Sequence, residues 1–298
     1  MSRAVLLCLL AMVALCLAAC TSPGLHARAS RKLELAVPWQ DYDRIAVRTD
    51  NGRVALRGSD VADVLIDAEL YVQGPTAAEA RTALEALELR AKPAPGHPRT
   101  LLVELVVPGH LANRSPGATI SITLPQDCTA DVKTSNGAIH AENLAGDAAL
   151  ESNNGAVRVA DVLGTLSVET SNGRVDVQRV AGDCVVRTSN GGIKVVDASG
   201  SLDIRTTNGS IHASASPPTT AAVTLRASNG SIDATLCASL SAAVELRTSN
   251  GTVSADFGSA TVSNASGGRQ HLRADLNDAA GGRVSAHTSN GSVRMRFR

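Results

Sequence analysis

The dipeptide Asn-Gly recurs along this chain, its asparagine falling at Asn136, Asn154, Asn172, Asn190, Asn208, Asn229, Asn250 and Asn290. The intervals are 18, 18, 18, 18, 21, 21 and 40 residues, and most copies read Thr-Ser-Asn-Gly or a close variant. A fixed period of this length marks a stacked repeat, in which each unit buries its apolar face only against its neighbours. The 40-residue interval reads as two units with one degenerate turn. An upstream copy, Thr49-Asp50-Asn51-Gly52, introduces the same pattern.

Aligned on the asparagine, apolar residues fall six and four before it and three and five after it. Examples are Leu166, Val168, Val175 and Val177, then Cys184, Val186, Ile193 and Val195, then Leu202, Ile204, Ile211 and Ala213. Period two on both sides of the turn means two short strands per unit, each with one buried face. A further apolar residue eight after the asparagine, Leu144, Val162 or Val180, closes most units. Two architectures satisfy this pattern. Asn-Gly between alternating strands is a strong hairpin signal, which allows an antiparallel β-meander or sandwich. A parallel β-helix explains more, because in-register stacking at about 4.8 Å places like on like. The recurring tetrad then has a reason, and the asparagines form a structural turn ladder. A left-handed hexapeptide helix fails because the inward positions do not recur every six. The expected fold is all-β, a right-handed or irregular parallel β-helix of 18-residue coils.

Composition agrees with a thin, regularly stacked core. The only aromatic residues are Trp39, Tyr42, Tyr71, Phe257 and Phe297, whereas a globular core normally leans on aromatic bulk. Beyond residue 19 the charges nearly cancel, with 27 basic residues (28 less Arg3) against 28 acidic ones. That balance gives no global attraction to nucleic acid. Of six cysteines, Cys8, Cys16 and Cys20 fall in the first twenty residues, leaving Cys128, Cys184 and Cys237. Three cysteines are no disulfide framework, and none has zinc-ligand spacing with a histidine. Cys184 falls in the apolar register and Cys237 at a closing position, so both read as small core residues.

The N-terminus places the chain. Arg3 precedes an uncharged apolar run from Ala4 to Ala19, ending in Leu17-Ala18-Ala19-Cys20. This is a secretory signal over residues 1–19 with a small-residue cleavage site, too short for a membrane crossing of about 20 apolar residues. Leu-Ala-Ala-Cys resembles the lipobox of bacterial lipoproteins, which implies that Cys20 carries the lipid and becomes the new N-terminus. Two or more acyl chains suffice for lasting attachment. Thr21 follows the cysteine where an inner-membrane signal would place aspartate, a pattern that resembles outer-membrane sorting. The expected site is the cell envelope, with residues 20–30 as a linker.

Residues 31–126 read as a lead-in to the repeat domain at 127–298. Strand-like alternation runs through Ile45, Val47, Val54, Leu56, Val64, Ile66, Ala68, Leu70 and Val72. Thr76 and Glu79 form a capping box that opens a helix to about Arg90, broken by the three prolines between Ala91 and Pro98. Strands near Leu101–Val107 and Thr119–Leu124 follow. The order of lipobox, Asn-Gly strand pair, helix, two strands, Pro125-Gln126-Asp127 and repeated Thr-Ser-Asn-Gly resembles the "putative-adhesin" family of β-strand-repeat envelope proteins, over residues 31–298. That resemblance implies a binding role on a family of unknown function and carries no catalytic residue.

One outward column bears on that role. Three residues before each asparagine stand Lys133, Glu151, Glu169, Arg187, Arg205, Arg226, Arg247 and His287. Stacked coils would line up Arg187, Arg205, Arg226 and Arg247 as a basic stripe about 5 Å apart. Neighbouring like charges repel, and a bound anion, such as a glycan acid or lipid headgroup, would relieve that. The plainer reading is a solvated face offset by Asp203 and Glu245. In the column four after the asparagines, Arg158, Asp176 and Lys194 alternate in sign as structural support. His140 and His212 stand there too, four units or about 19 Å apart, and cannot share a metal. Neither metal nor cofactor is expected.

Three functional classes are consistent with these residues: a non-enzymatic adhesin or binding scaffold, an envelope-stress lipoprotein contacting lipid or a membrane partner, and a β-helix polysaccharide-degrading enzyme. The last needs carboxylates gathered on long loops, whereas the connections are short and sugar-binding aromatics scarce. The irregular insert Ser254–Gly282 reads as a degenerate coil. The terminal Val293-Arg294-Met295-Arg296-Phe297-Arg298 reads as a charged cap on an open edge. The expectation is a binder without enzymatic activity.

Overall fold

The computed structural model describes residues 27–298, so the signal segment and Cys20 lie outside the described residues. The chain forms two compact units that divide after Gly137.

The first unit contains β1 (Ala27–Pro38), β2 (Arg44–Asn51), β3 (Val54–Ser59), β4 (Asp63–Gly74), α1 (Ala77–Glu85), β5 (Glu88–Ala94), β6 (His97–Val106), β7 (Gly117–Pro125) and β8 (Thr129–Asn136). One sheet has the order β1-β4-β7-β3 and the other β8-β2-β6-β5. β1 pairs antiparallel with β4 along its whole length, from Ala27↔Gly74 to Pro38↔Asp63. The residues expected as a linker therefore enter a strand at Ala27, four positions before the expected boundary. β2 and β8 run parallel with Asn51 opposite Asn136, and Asn136 Nδ2 donates to Asn51 Oδ1 at 3.0 Å. The upstream Asn-Gly copy is thus a rung of the same kind.

The Thr76 cap forms as expected, its hydroxyl accepting from the Glu79 amide at 3.2 Å. The helix stops at Glu85 and not at Arg90. Leu87 and Leu89 are both buried, a period-two demand that a helix would break, so the chain turns extended and β5 pairs with β6. The proline-rich stretch is the far end of that hairpin. Pro93 is tolerated because β5 is an edge strand, where a missing amide donor costs little.

The second unit contains β9 (Ile139–Leu144), β10 (Ala148–Ser152), β11 (Val157–Val162), β12 (Leu166–Thr170), β13 (Val175–Val180), β14 (Cys184–Asn190), β15 (Ile193–Ala198), β16 (Leu202–Asn208), β17 (Ile211–Ala215), β18 (Ala222–Asn229), β19 (Ile232–Leu236), β20 (Ala242–Asn250), β21 (Val253–Asp256), β22 (Val262–Gly267), β23 (His271–Leu276), β24 (Gly282–Asn290) and β25 (Val293–Phe297). Sheet one has the order β9-β11-β13-β15-β17-β19-β25-β21, and sheet two β10-β12-β14-β16-β18-β24-β20-β23-β22. Pairing is parallel and in register: Leu166 faces Cys184, Cys184 faces Leu202, and Leu202 faces Val223. Each Asn-Gly corner joins a strand of sheet two to a strand of sheet one. The meander alternative is excluded, because the strands flanking a corner do not pair with one another.

Each letter of the tetrad has a job. The threonine points inward, and its hydroxyl donates to the glycine carbonyl of the rung below. Thr170 reaches Gly155 at 3.2 Å, Thr188 reaches Gly173 at 3.3 Å and Thr206 reaches Gly191 at 3.0 Å. The serine faces out. The asparagines form an amide ladder, Asn172 donating to Asn154, Asn190 to Asn172 and Asn208 to Asn190 at 2.7–2.8 Å. The glycine is there because the rungs approach too closely for a side chain: a Cβ on Gly191 would overlap the Gly173 carbonyl, and one on Gly209 the Gly191 carbonyl. Between the sheets the apolar columns are almost wholly buried, each Val, Leu or Ile contributing about 1.5–3 kcal/mol.

The closing apolar position eight after the asparagine breaks strict alternation, since parity would turn it outward. Its predecessor adopts left-handed backbone at Asn143 (φ 59), Asp161 (φ 59), Arg179 (φ 53) and Asp197 (φ 58). That bulge flips the next side chain inward, burying Leu144, Val162, Val180 and Ala198.

The last 40 residues before the final Asn-Gly contain no degenerate coil. After β21 the chain forms the hairpin β22–β23, and β23 pairs antiparallel with β20, covering its open edge. Asn277, Asp278 and Ala279 then take left-handed backbone (φ 47, 67 and 48), reversing the chain. β24–β25 finally slots between the two preceding coils, with β24 between β18 and β20 and β25 between β19 and β21. The amide ladder follows space and not sequence: Asn290 donates to Asn229 at 2.7 Å and Asn250 to Asn290 at 3.0 Å. The C-terminal strand is therefore interior and does not cap an edge. Its arginines are used within the sheet, Arg296 meeting Asp233 at 3.0 Å and Arg294 the same carboxylate at 3.9 Å.

An interior terminal strand should exchange slowly. In native-state hydrogen exchange the amides of Val293–Phe297 are expected to be as protected as those of Ile211–Ala215; rapid exchange, as for a fraying end, would contradict the insertion.

Candidate functional site

Sheet two turns its outward face to solvent, and the residues three before each asparagine line up across it. Glu151 faces Glu169, Glu169 faces Arg187, Arg187 faces Arg205 and Arg205 faces Arg226. The insertion of β24 then places His287 between Arg226 and Arg247, and the antiparallel β23 adds His271 beyond Arg247. Arg226 and Arg247 are therefore not neighbours, as sequence order had suggested. Lys133 stands on β8 of the first unit, opposite Arg48.

A shallow groove of about 430 Å³ runs along this face, lined by Arg187, Arg205, Arg226 and His287, with Glu169 at one end and Ser189 and Ser228 among the hydroxyls beside them. Two carboxylates offset part of the row. Asp203 takes Arg205 Nε at 2.9 Å and Arg187 Nη2 at 3.3 Å. Glu245 takes Arg273 at 2.9 Å and Arg247 at 3.2 Å, with His271 at 3.8 Å. The hydrogen bond from Arg273, with the charges of Arg247 and His271, holds the Glu245 carboxyl below its ordinary range. Such exposed pairs contribute about 0–1 kcal/mol each, so they trim the positive field more than they stabilise the fold. The offset foreseen from Asp203 and Glu245 thus exists, and it is local.

On the outward face of sheet one, His140, Arg158, Asp176, Lys194 and His212 occupy successive strands. The two histidines stand four strand spacings apart, about 19 Å. Among the described residues no group of His, Cys, Asp and Glu could hold a metal. Cys128 and Cys184 are buried, and desolvation pushes both thiols up to about 12. Cys237 is half-buried, its Sγ 3.6 Å from the Pro217 carbonyl.

Sequence reasoning missed two polar clusters. Arg179, on left-handed backbone, grips Asp161 one rung below with two hydrogen bonds of 2.5 and 2.8 Å, and this holds the Asp161 carboxyl low. The polar residue just before each closing apolar position was the available signal. Asn277 clamps the returning chain, donating to the Ala238 and Leu240 carbonyls at 2.8 and 3.0 Å and accepting from the Thr261 amide at 3.0 Å. No spacing rule points to it.

These features define a class: a parallel β-solenoid whose flat outer face presents ladders of small polar and basic side chains. Residues 106–296 match the family model described as Toastrack DUF4097, and the chain belongs to that family. Three solved structures are similar to it. One from Bacteroides fragilis, described as a "putative adhesin", is 12% identical, covers 90% of this chain and 97% of its own, and has a TM-score of 0.45. A "putative cell adhesion protein" from Clostridium sporogenes is 11% identical over 90% and 100% of the two chains, with a TM-score of 0.30. A "putative lipid binding protein" from Parabacteroides distasonis is 11% identical over 89% and 96%, with a TM-score of 0.27. A comparison with curated proteins finds no match. Among the described residues no helix is long and apolar enough to cross a membrane.

The thiolate is the reactive form of cysteine. In the native protein at neutral pH a thiol reagent is expected to modify Cys237 first, with Cys128 and Cys184 reacting only after denaturant is added. Peptide mass spectrometry reads the order, and early modification of Cys184 would mean that its column is not packed as described.

Proposed function

We propose that this protein is a lipid-anchored envelope lipoprotein that serves as a binding scaffold, holding an anionic glycan or lipid headgroup of the envelope against the outward face of sheet two. It performs no chemical step. The observation that carries this reading is the row Arg187, Arg205, Arg226, His287 and Arg247 on consecutive strands of a rigid sheet, above a groove edged by hydroxyls. Rungs about 4.8 Å apart repeat cations at a spacing suited to repeated anionic groups. A surface built from backbone-locked strands loses little loop freedom on binding.

The arginines are tested together. Replacing Arg187, Arg205, Arg226 and Arg247 with glutamine should weaken binding to heparin and to phosphatidylglycerol vesicles about tenfold, taking a few tenths of a kcal/mol for each exposed charge. The same affinity in wild type and variant, for both probes, would end the reading.

Anchoring rests on the signal-like segment and on Leu17-Ala18-Ala19-Cys20, with the outer membrane as the destination in a Gram-negative cell. The Cys20→Ser variant is expected to lose incorporated palmitate and to leave the membrane fraction; retention of both would show that another residue carries the anchor.

A further inference from the structure

The row of cations is not evenly offset. Asp203 stands two residues before Arg205 on β16, and Glu245 two residues before Arg247 on β20, but the same positions on β18 and β24 hold Thr224 and Ser285. Among the described residues neither the Arg226 guanidinium nor the His287 imidazole makes an ion pair, and the two face each other directly across the β18–β24 pairing. Both are exposed, and the half-buried Ser228 and Ser289 stand two residues further along the same strands, on the same face. Guanidinium, imidazole and two hydroxyls thus converge on one step of the sheet, with no carboxylate of their own.

We propose that the Arg226–His287 step is a binding site for a phosphate or sulfate group, held more tightly when His287 is protonated. The inference rests on the binding reading above and names where on that face, and by what chemistry, the anion is gripped. A tetrahedral oxyanion can accept from a guanidinium, an imidazolium and two hydroxyls at once, and hydrogen bonds to such charged groups are the stronger kind. Histidine is the side chain whose charge ordinarily changes between pH 5 and 8, so this step gains a second cation as pH falls through that range.

The surroundings decide the sign. Arg226 faces His287 from β18, with Thr224 and Ser228 on the same strand face. From β20 come Arg247 directly opposite, with Glu245 and Ser249 on either side of it. Arg283, Ser285 and Ser289 share its own strand face, and His271 and Arg273 stand beyond β20 on β23. Glu245 and, beside Arg273 on β23, Asp275 are the carboxylates in this set; Arg273 and Arg247 hold the first, and Asn264 donates to the second at 2.8 Å. A bound dianion favours proton uptake at His287, and proton uptake favours the dianion by the same factor.

Inorganic sulfate is the probe, because its charge does not change between pH 5 and 8. Sulfate titrations of the protein, followed by NMR of the histidine ring protons and the amides of β18 and β24, should show binding up to about fivefold tighter at pH 5.5 than at pH 7.5, the range of an exposed ion pair. Arg226→Gln should weaken sulfate binding about twofold to fivefold at both pH values. His287→Gln should bring the ratio of affinities to about one, and His287→Lys should bind at pH 7.5 as wild type does at pH 5.5, because its charge is permanent. Equal wild-type affinity at the two pH values, a pH gain that survives in His287→Gln, or shifts centred away from β18 and β24 would each overturn the proposal. Phosphatidylcholine vesicles with and without phosphatidylglycerol separate the sources. Recruitment that depends on Arg226 supports a lipid phosphate, and Arg226-dependent sulfate binding without recruitment supports a soluble ester. If the four-arginine variant binds its probes like wild type, the broader binding reading fails. If that variant is impaired while Arg226→Gln and His287→Gln each behave as wild type, only this site fails.

Discussion

The corner where one rung sits on the next is the constraint that the rest of the second unit obeys. Parallel rungs repeat at about 4.8 Å, so whatever occupies a corner must pack against a copy of itself. A side-chain amide does this well, because it carries a donor and an acceptor on one group and can pass a hydrogen bond from rung to rung. Glycine does it by having nothing to collide, and threonine by lending its hydroxyl to a carbonyl that the turn would leave unpaired in the core. Once corners are locked in this way, the strands between them have no freedom of register. The aliphatic columns and the outward polar columns are aligned as a consequence.

The same constraint explains how the end of the chain could be spliced into the stack. A rung with the tetrad presents the same upper and lower surface as any other, so the coil ending in Asn290 fits between the coils of Asn229 and Asn250 as well as it would fit at the end. What selects the interior position is chemistry outside the corner. The β22–β23 hairpin occupies the edge of β20 where a further coil would otherwise stack, and the Arg296 and Arg294 pairs with Asp233, formed with β25 beside β19, add about 0–1 kcal/mol each. The insertion also changes the outward face, because it interposes a histidine in a row of arginines and leaves one step of that row without a carboxylate.

Much of this was legible from the residues. The apolar positions three and five after each asparagine and four and six before it are the buried columns, and the recurring tetrad pointed to parallel stacking over hairpins. The lead-in was less legible, because local signals there compete: a capping box and good helix formers suggested a helix through Arg90, and the need to bury Leu87 and Leu89 on a sheet face ended it sooner. The left-handed residues at Asn143, Asp161, Arg179 and Asp197 were hidden too, since none is a glycine and the bulge shows only as a break in parity.

The candidate site divides in the same way. That Arg187, Arg205 and Arg226 stand in a row follows from their common place three residues before each asparagine, and that is enough wherever sequence order is also spatial order. That His287 follows Arg226, and that Arg247, His271 and Arg273 share Glu245, does not follow from any spacing. The sequence by itself determined the rung, its inward and outward faces and its self-complementary corner, because those are local properties that each repeat carries within its own residues. Only the tertiary structure decided the order in which the rungs are stacked, because identical corners accept one another in any order and the choice is made outside them, by the hairpin on the β20 edge and by contacts between residues far apart in the chain.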